Sequence, residues 1–375
     1  MSELNSTINS DGVSGKSFVP KIQPRFELSK KIVLQKYSEI EEIADIVSYS
    51  SKTNPLVTPI LESNTSCDFS IHFINELQHI RDYSRVFFIS QALNSEELVF
   101  LFEKGVRKFV ADNEVDLDML LDFISSHNYS DVELFLRLKL KENTIKTETH
   151  FVFGIESKIV NKRIQEIHSS ELYGTKIKTL GIHFHRKTQN LAEWKLRYEL
   201  EDILESKTLA AIGIINIGGG LPSFYANTNL NAMQGIRRQI LDFKSFLNDK
   251  NIKLMIEPGR YISAPAVKLK TTIKLIHGNN IVVDASVYNT DLDALIVPVK
   301  LLVEGELTKE ESLKDETVSA FVLKGITPCS MDLFRYRVYL KKPEIGDEIV
   351  FLNAGAYNFT TTFCDLDELK TILVD

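Results

Sequence analysis

Up to residue 257 the chain alternates short β-prone runs with stretches of helical periodicity, and this alternation limits its fold more than any other feature. The runs span 44–51, 67–71, 86–89, 108–111, 133–138, 179–185, 211–217 and 253–257. Amphipathic segments such as 95–104, 156–169, 191–206 and 231–249 lie between them. Strands separated by helix-length crossovers pair in parallel, and eight of them predict a closed (β/α)8 TIM barrel with its chemistry at the C-terminal strand ends. After Ala264 the pattern changes to β-rich runs at 267–276, 280–283, 297–302, 317–323 and 348–351. They predict a second, C-terminal antiparallel β-domain, a sandwich or barrel, completed by a strand from residues 18–32. The expected division is a polar tail over 1–25, a barrel over 26–263 and a β-domain over 264–375.

Composition narrows the function classes. A chain of 375 residues with 43% apolar and 25% charged residues is long enough for one large domain and a smaller one. Its net charge of -7 argues against a nucleic-acid partner, and no apolar run reaches the length of a membrane span. Residues 1–16 are rich in Ser, Asn and Gly without a signal-peptide core, which reads as a frayed tail on a cytoplasmic protein. Cys67, Cys329 and Cys364 are odd in number and widely spaced, fitting neither a disulfide framework nor a zinc site.

The strand ends carry the candidate chemistry. Lys52 closes the first run just before the Asn54-Pro55 breaker. A lysine amine condenses with carbonyl compounds only when unprotonated, so a partly desolvated lysine at a barrel mouth suits that role, although most lysines after a strand are solvated surface groups. In Gly181-Ile182-His183-Phe184-His185 the two imidazoles share one face of a strand. Gly218-Gly219-Gly220 follows the seventh run, where barrels commonly bind phosphate, though a triple glycine also makes a plain flexible turn. The eighth run ends in Glu257-Pro258-Gly259-Arg260, either a structural ion pair or an anion and a cation placed for a cofactor. The later motifs Asn353-Ala354-Gly355-Ala356-Tyr357 and Gly325 to Asp332 are not specific by themselves.

Taken together, these motifs resemble the fold-type III pyridoxal-phosphate decarboxylases, the family of ornithine, lysine, diaminopimelate and carboxynorspermidine decarboxylases. The resemblance runs from about Phe26 to the C-terminus. It implies pyridoxal 5'-phosphate as cofactor, with Lys52 in Tyr-Ser-Ser-Lys-Thr-Asn as the Schiff-base lysine. By the same resemblance Asp68, Glu76 and Arg137 surround the cofactor, His185 stacks on its ring, and Glu257 holds the ring nitrogen. Thr188, Gly218, Gly219, Gly220, Gly259, Arg260 and Tyr357 then form the phosphate site. The family's cysteine reaches a neighbouring subunit's site, and Cys329 stands one place on from it, so the resemblance implies a homodimer with shared active sites; it also implies Asp332 and Tyr357 as substrate residues. Related alanine racemases place an arginine where Glu257 stands, which favours decarboxylation over racemisation.

Three motifs depart from the family pattern: Phe151-Val152-Phe153-Gly154 lacks a basic residue, Lys187 in His185-Arg186-Lys187-Thr188 replaces a flexible glycine, and Pro328 stands where the family has its cysteine. The segment from Tyr288 to Pro298 matches the family's specificity helix. Val297 cannot supply the arginine that diaminopimelate requires, whereas Asp291 and Asp293 either cap a turn or receive a distal ammonium group. The expected reaction is α-decarboxylation of a diamino acid or carboxylated polyamine. The alternatives are a larger conjugated amino acid, a racemase or epimerase, and an inactive binding homologue.

Overall fold

The computed structural model describes residues 23–140, 153–186, 188–191, 194–228, 232–358 and 360–375. Residues 1–22 of the expected tail, and Phe151, Val152 and Lys187 of the variant motifs, lie outside the described residues.

The chain enters through β1 (Arg25–Ser29) and a helix, Lys30–Glu41, whose first turn is capped where the Ser29 hydroxyl accepts the Ile32 N–H at 3.1 Å. Eight parallel strands then close a barrel: β2 (Ile46–Ser50), β3 (Asp68–Ile71), β4 (Val86–Ser90), β5 (Lys108–Ala111), β6 (Val132–Arg137), β7 (Ile177–His183), β8 (Ile214–Asn216) and β9 (Lys253–Ile256). The seam is β9 on β2, with Ile46 opposite Met255. Each strand falls within or beside an expected run. The run at 211–217 shrinks to three residues because Ser206–Ala211 completes a helix instead.

Two apolar compartments make the barrel rigid. The interior is filled by Phe87, Ile89, Val110, Phe135, Ile214 and Met255, all buried. Phe87 and Phe135 meet edge to face with ring centroids 5.2 Å apart. Gly181 makes room for this pair, since a Cβ there would lie 2.4 Å from the Phe135 ring. The outer layer packs helix faces onto the reverse side of the strands, as with Val160, Ile164 and Ile167 of Ser157–His168.

The second domain is a mixed sheet, which corrects the expectation of an antiparallel one. Its strands are β10 (Val267–His277), β11 (Asn280–Val283), β12 (Leu302–Val303), β13 (Val318–Lys324), β14 (Leu333–Lys341), β15 (Glu348–Leu352) and β16 (Lys370–Val374), with β1 added. The pairs β11–β13 and β1–β16 run parallel because long connections return the chain in the same direction. β14 and β16 lie outside the runs anticipated from sequence. The run at 297–302 yields only the two residues of β12, behind a helical turn, Asp293–Ile296.

This sheet also completes the barrel mouth. The Tyr357 N–H donates to the Thr53 carbonyl and the Asn54 amide to the Gly355 carbonyl, both at 3.0 Å. The segment bearing Lys52 is thereby tied to the β-domain.

Candidate active site

The C-terminal strand ends open into a cavity of about 660 Å³ lined by residues from both domains. Lys52 lines it from a 3-10 turn, Ser51–Thr53, directly after β2. The amine faces the water of the cavity, yet protein encloses it on most other sides. Burial pushes its pKa below the usual lysine value and Arg137 adds to this, while the charges of Glu257 and Glu76 oppose it.

Glu257 follows β9 and is buried at the cavity floor. Its Oε1 accepts from the Ser70 hydroxyl at 2.6 Å and the Asn216 amide at 2.9 Å, and its Oε2 faces His183 Nε2 at 3.3 Å. Burial alone would raise this carboxyl. The His183 imidazole and the three hydrogen bonds outweigh it and hold the group well below its ordinary range, as a carboxylate. Ser48 extends the network, its hydroxyl 2.7 Å from that of Ser70. His183, Ser70 and Asn216 were not among the expected site residues. The inward register of His183 with His185 was visible in the sequence, whereas nothing local marks Ser70 or Asn216.

His185 lines the cavity, and its Nδ1 accepts the Gly219 N–H at 3.1 Å, which puts the proton of the neutral ring on Nε2. The protein packed around its ring, with His183 nearby, lowers its pKa to about 3, although the side chain keeps an exposed face toward the cavity. Gly219 and Gly220 line the wall, while Gly218, at φ 65°, supports it from behind. A Cβ on Gly218 would come within 2.6 Å of the Phe184 carbonyl, and one on Gly219 within 2.8 Å of the Glu257 carbonyl. Gly259 is equally confined, with Thr53 Oγ1 2.1 Å from where its Cβ would stand.

Thr188, Arg260 and Tyr357 close the same side. Arg260 donates from Nε to Thr188 at 3.1 Å and from Nη1 to the Tyr225 hydroxyl at 2.8 Å, and its guanidinium lies 5.3 Å from the centre of the Tyr357 ring. Arg137 ends β6, beside β7, pairs with Asp112 at 2.6 Å and also lines the cavity.

Several expected residues lie elsewhere. Asp68 begins β3, at the far end of the strand from the cavity, and is paired with Lys108 at 2.9 Å. Glu76 stands behind the wall, where its Oε1 accepts the N–H groups of His72 and Phe73 at 2.7 and 3.1 Å. His72 and Phe73, not Glu76, face the cavity. Asp293 is buried in a bidentate pair with Arg260, one bond being 2.9 Å. Asp291 is fully buried outside the cavity lining, and burial together with Asp293 pushes its carboxyl well above the usual range. Neither is placed to receive a substrate ammonium. Asp332 is also committed, accepting from the Val287 N–H at 2.8 Å and from the Thr327 N–H and hydroxyl at 3.0 and 2.7 Å. Cys329 lies outside this chain's cavity lining, with its sulfur 2.8 Å from the Tyr288 hydroxyl.

The donor set matches a pyridine carrying a phosphate. An anionic buried carboxylate, a perturbed lysine and a glycine wall that admits no Cβ converge on one cavity. In agreement, the family model described as pyridoxal-dependent decarboxylase, pyridoxal binding domain, matches residues 33–264, and the chain belongs to that family. Antizyme inhibitor 2 of Xenopus laevis is 20% identical over 301 residues, covering 74% of this chain and 63% of its own. Ornithine decarboxylase of Caenorhabditis elegans is 23% identical over 273 residues, covering 70% and 59%. The chain thus spans under two thirds of the length of these curated relatives. The crystal structure of a single-substitution mutant of diaminopimelate decarboxylase from Helicobacter pylori complexed with L-lysine superposes with a TM-score of 0.78 at 18% identity, covering 96% of this chain and 93% of that one. It shares the fold.

Proposed function

We propose that the protein removes the α-carboxylate of an amino acid, with pyridoxal phosphate as cofactor and a diamino acid or carboxylated polyamine as substrate. The observation that carries this reading is Glu257, a buried carboxylate kept charged at the cavity floor by His183, Ser70 and Asn216. When bound, pyridoxal phosphate supplies an electron sink for the pair of electrons left as CO2 departs. Glu257 would hold a proton on the pyridine nitrogen, the condition under which that sink is deepest. A neutral or cationic group there would weaken it, so the residue supports decarboxylation over racemisation.

Lys52 would hold the cofactor through its amine, whose lowered pKa leaves more of it unprotonated than an ordinary lysine. His185 would pack against the ring, fixed by the Gly219 N–H. Thr188, Gly219, Gly220 and Tyr357 would receive the phosphate, with Arg260 behind them, its guanidinium shared with Asp293. Asp293 acts through Arg260 as a positioning residue, and Asp112 does the same for Arg137. The cofactor-binding unit would be the barrel of residues 26–263 and the second unit residues 264–375.

We also propose a homodimer. Ile326 and Met331 are exposed beside Cys329 and Asp332, on a face that would then abut the partner's cavity. Three free cysteines suit a reducing compartment such as the cytoplasm. Among the described residues no helix is long and apolar enough to cross a membrane. The second class of reading, an inactive binding homologue, is disfavoured by the intact set of Lys52, His185 and Glu257. The test is to incubate the cofactor-loaded protein with a panel of diamino acids, measuring CO2 release and optical rotation together. CO2 with the matching amine is expected, and loss of rotation without CO2 would replace this reading with a racemase.

A further inference from the structure

Asp293 and Asp332 are committed elsewhere and Asp291 is buried outside the cavity lining, which leaves the cavity wall itself to read a distal cation. Among the described residues that wall carries two carboxylates, Glu257 and Glu97. Glu257 is saturated by Ser70, Asn216 and His183. Glu97 is half-buried in the first turn of the helix Ser95–Glu103, and among the described residues its carboxylate has neither a hydrogen bond nor an ion pair. The other charged groups of the wall are cations, and two of them are already neutralised: Arg137 by Asp112 and Arg260 by Asp293.

The position of Glu97 follows from the barrel order. The glycines, Thr188 and Arg260 follow β7, β8 and β9, so the phosphate side lies on that arc of the mouth. Glu97 follows β4, two strands from the β2 end that carries Lys52 and away from the phosphate side. At the spacing of paired strands this is roughly 10 Å around the rim, the scale of an extended diamine. Between them the wall is mostly apolar, with Phe73, Ile74, Phe88 and Ile89 beside the uncharged side chains of His72 and Gln91, and Phe153 opposite. Methylene groups are favourably buried against such a surface, which offers a cation no countercharge until Glu97 is reached. The Gln91–Leu93 turn that leads to this helix is held in place, since the Asp116 carboxylate accepts the N–H groups of Ala92 and Leu93, both at 3.0 Å, and Ala92 has φ 59°. A turn fixed at this conformational cost gives Glu97 a defined position.

We propose that Glu97 is the specificity-determining residue of this cavity and takes the distal ammonium of a substrate whose two nitrogens are separated by an apolar chain. The inference rests on the amino-acid reading of the same site, and its test is a binding measurement that needs no turnover. Calorimetric titration of the cofactor-loaded protein would compare cadaverine with pentylamine, which has the same chain and only one nitrogen, on wild type, Glu97→Gln and Glu96→Gln. Glu96 shares the helix turn and the charge but does not line the cavity.

Wild type and Glu96→Gln should bind the diamine about 10- to 100-fold more tightly than the monoamine, the size of one charge-assisted hydrogen bond, and Glu97→Gln should bind both alike. Equal binding of the two amines by wild type, undetectable binding of the diamine, or a preference that survives in Glu97→Gln would overturn the proposal. An equal loss in Glu96→Gln would also overturn it, because the effect would then be general electrostatics. Failure of the decarboxylase reading shows separately, as absent CO2 release from a protein that still prefers the diamine.

Discussion

Glu257 owes its charge to three neighbours, and removing that charge at constant shape isolates its role. Glu257→Gln keeps the volume and most of the hydrogen bonds but cannot hold a proton on a pyridine nitrogen. The expected outcome is a kcat lower by about 10²-fold or more, with the cofactor's visible absorbance retained; a variant within a fewfold of wild type would remove the role. The imidazoles add a pH dependence of defined sign. His72 and His185 both have pKa values lowered to about 3 against an ordinary 6.5, chiefly by the protein packed around them, an effect that solvent in the open cavity screens, most of all at exposed His185. As pH falls below 6.5 the unfolded chain takes up protons that the native cavity refuses, so stability declines between about pH 6.5 and 3. The Glu257 carboxylate acts in the same direction, contributing stability above its ordinary pKa that is lost on acidification through its lowered one. Melting temperatures of the cofactor-free protein should therefore fall from pH 7 to pH 4.5, and His185→Asn should show a shallower decline. Equal slopes in the two proteins would show that His185 is not held neutral.

At the scale of elements, the β8 and β9 loops are built by exclusion. Gly218, Gly219 and Gly259 each stand where a Cβ would collide with backbone or with Thr53. Overpacking of this kind costs typically about 1–3 kcal/mol, so Gly259→Ala should lose that much in urea unfolding and bind the cofactor more weakly. Unchanged stability with normal cofactor content would mean the loop has room that the geometry denies. These loops were legible in the sequence because glycine runs after a strand have few uses. The eight barrel strands were legible for the same kind of reason: a regular alternation of periods survives local ambiguity. Asp68 was misplaced because residue type says nothing of which end of a strand a side chain occupies, and Asp68 starts β3 where Ser70 approaches Glu257. Asp291 and Asp293 look like solvated or substrate-facing acids in sequence. Only the fold shows Arg260 folded back onto Asp293, a contact across 33 positions. The parallel pairs of the β-domain were hidden similarly, since partners far apart in the chain leave no local mark.

Over the whole molecule, one chain supplies a cofactor-sized cavity to which, among the described residues, the β-domain contributes only Tyr357, while the motif from Gly325 to Asp332 does not line it. Asp332 organises that motif from within, through Val287 and Thr327, and Gly325 packs so tightly on it that a Cβ would lie 2.0 Å from Asp332 Oδ1. A loop held so firmly, yet carrying Met331 at 62% exposure and Ile326 at 44%, has the character of a surface shaped to be covered. If a second copy covers it, each cavity gains a wall from the partner, and activity requires the pair. A charge on the exposed Met331 side chain leaves the monomer's packing unchanged but is costly to bury at an interface. Met331→Glu is therefore expected to sediment as monomer at concentrations where wild type is dimeric, to melt within a few degrees of wild type, and to lose most of its activity. On dilution of wild type, activity should fall in step with the dimer fraction. A monomer with full turnover would show that a single chain's cavity is complete.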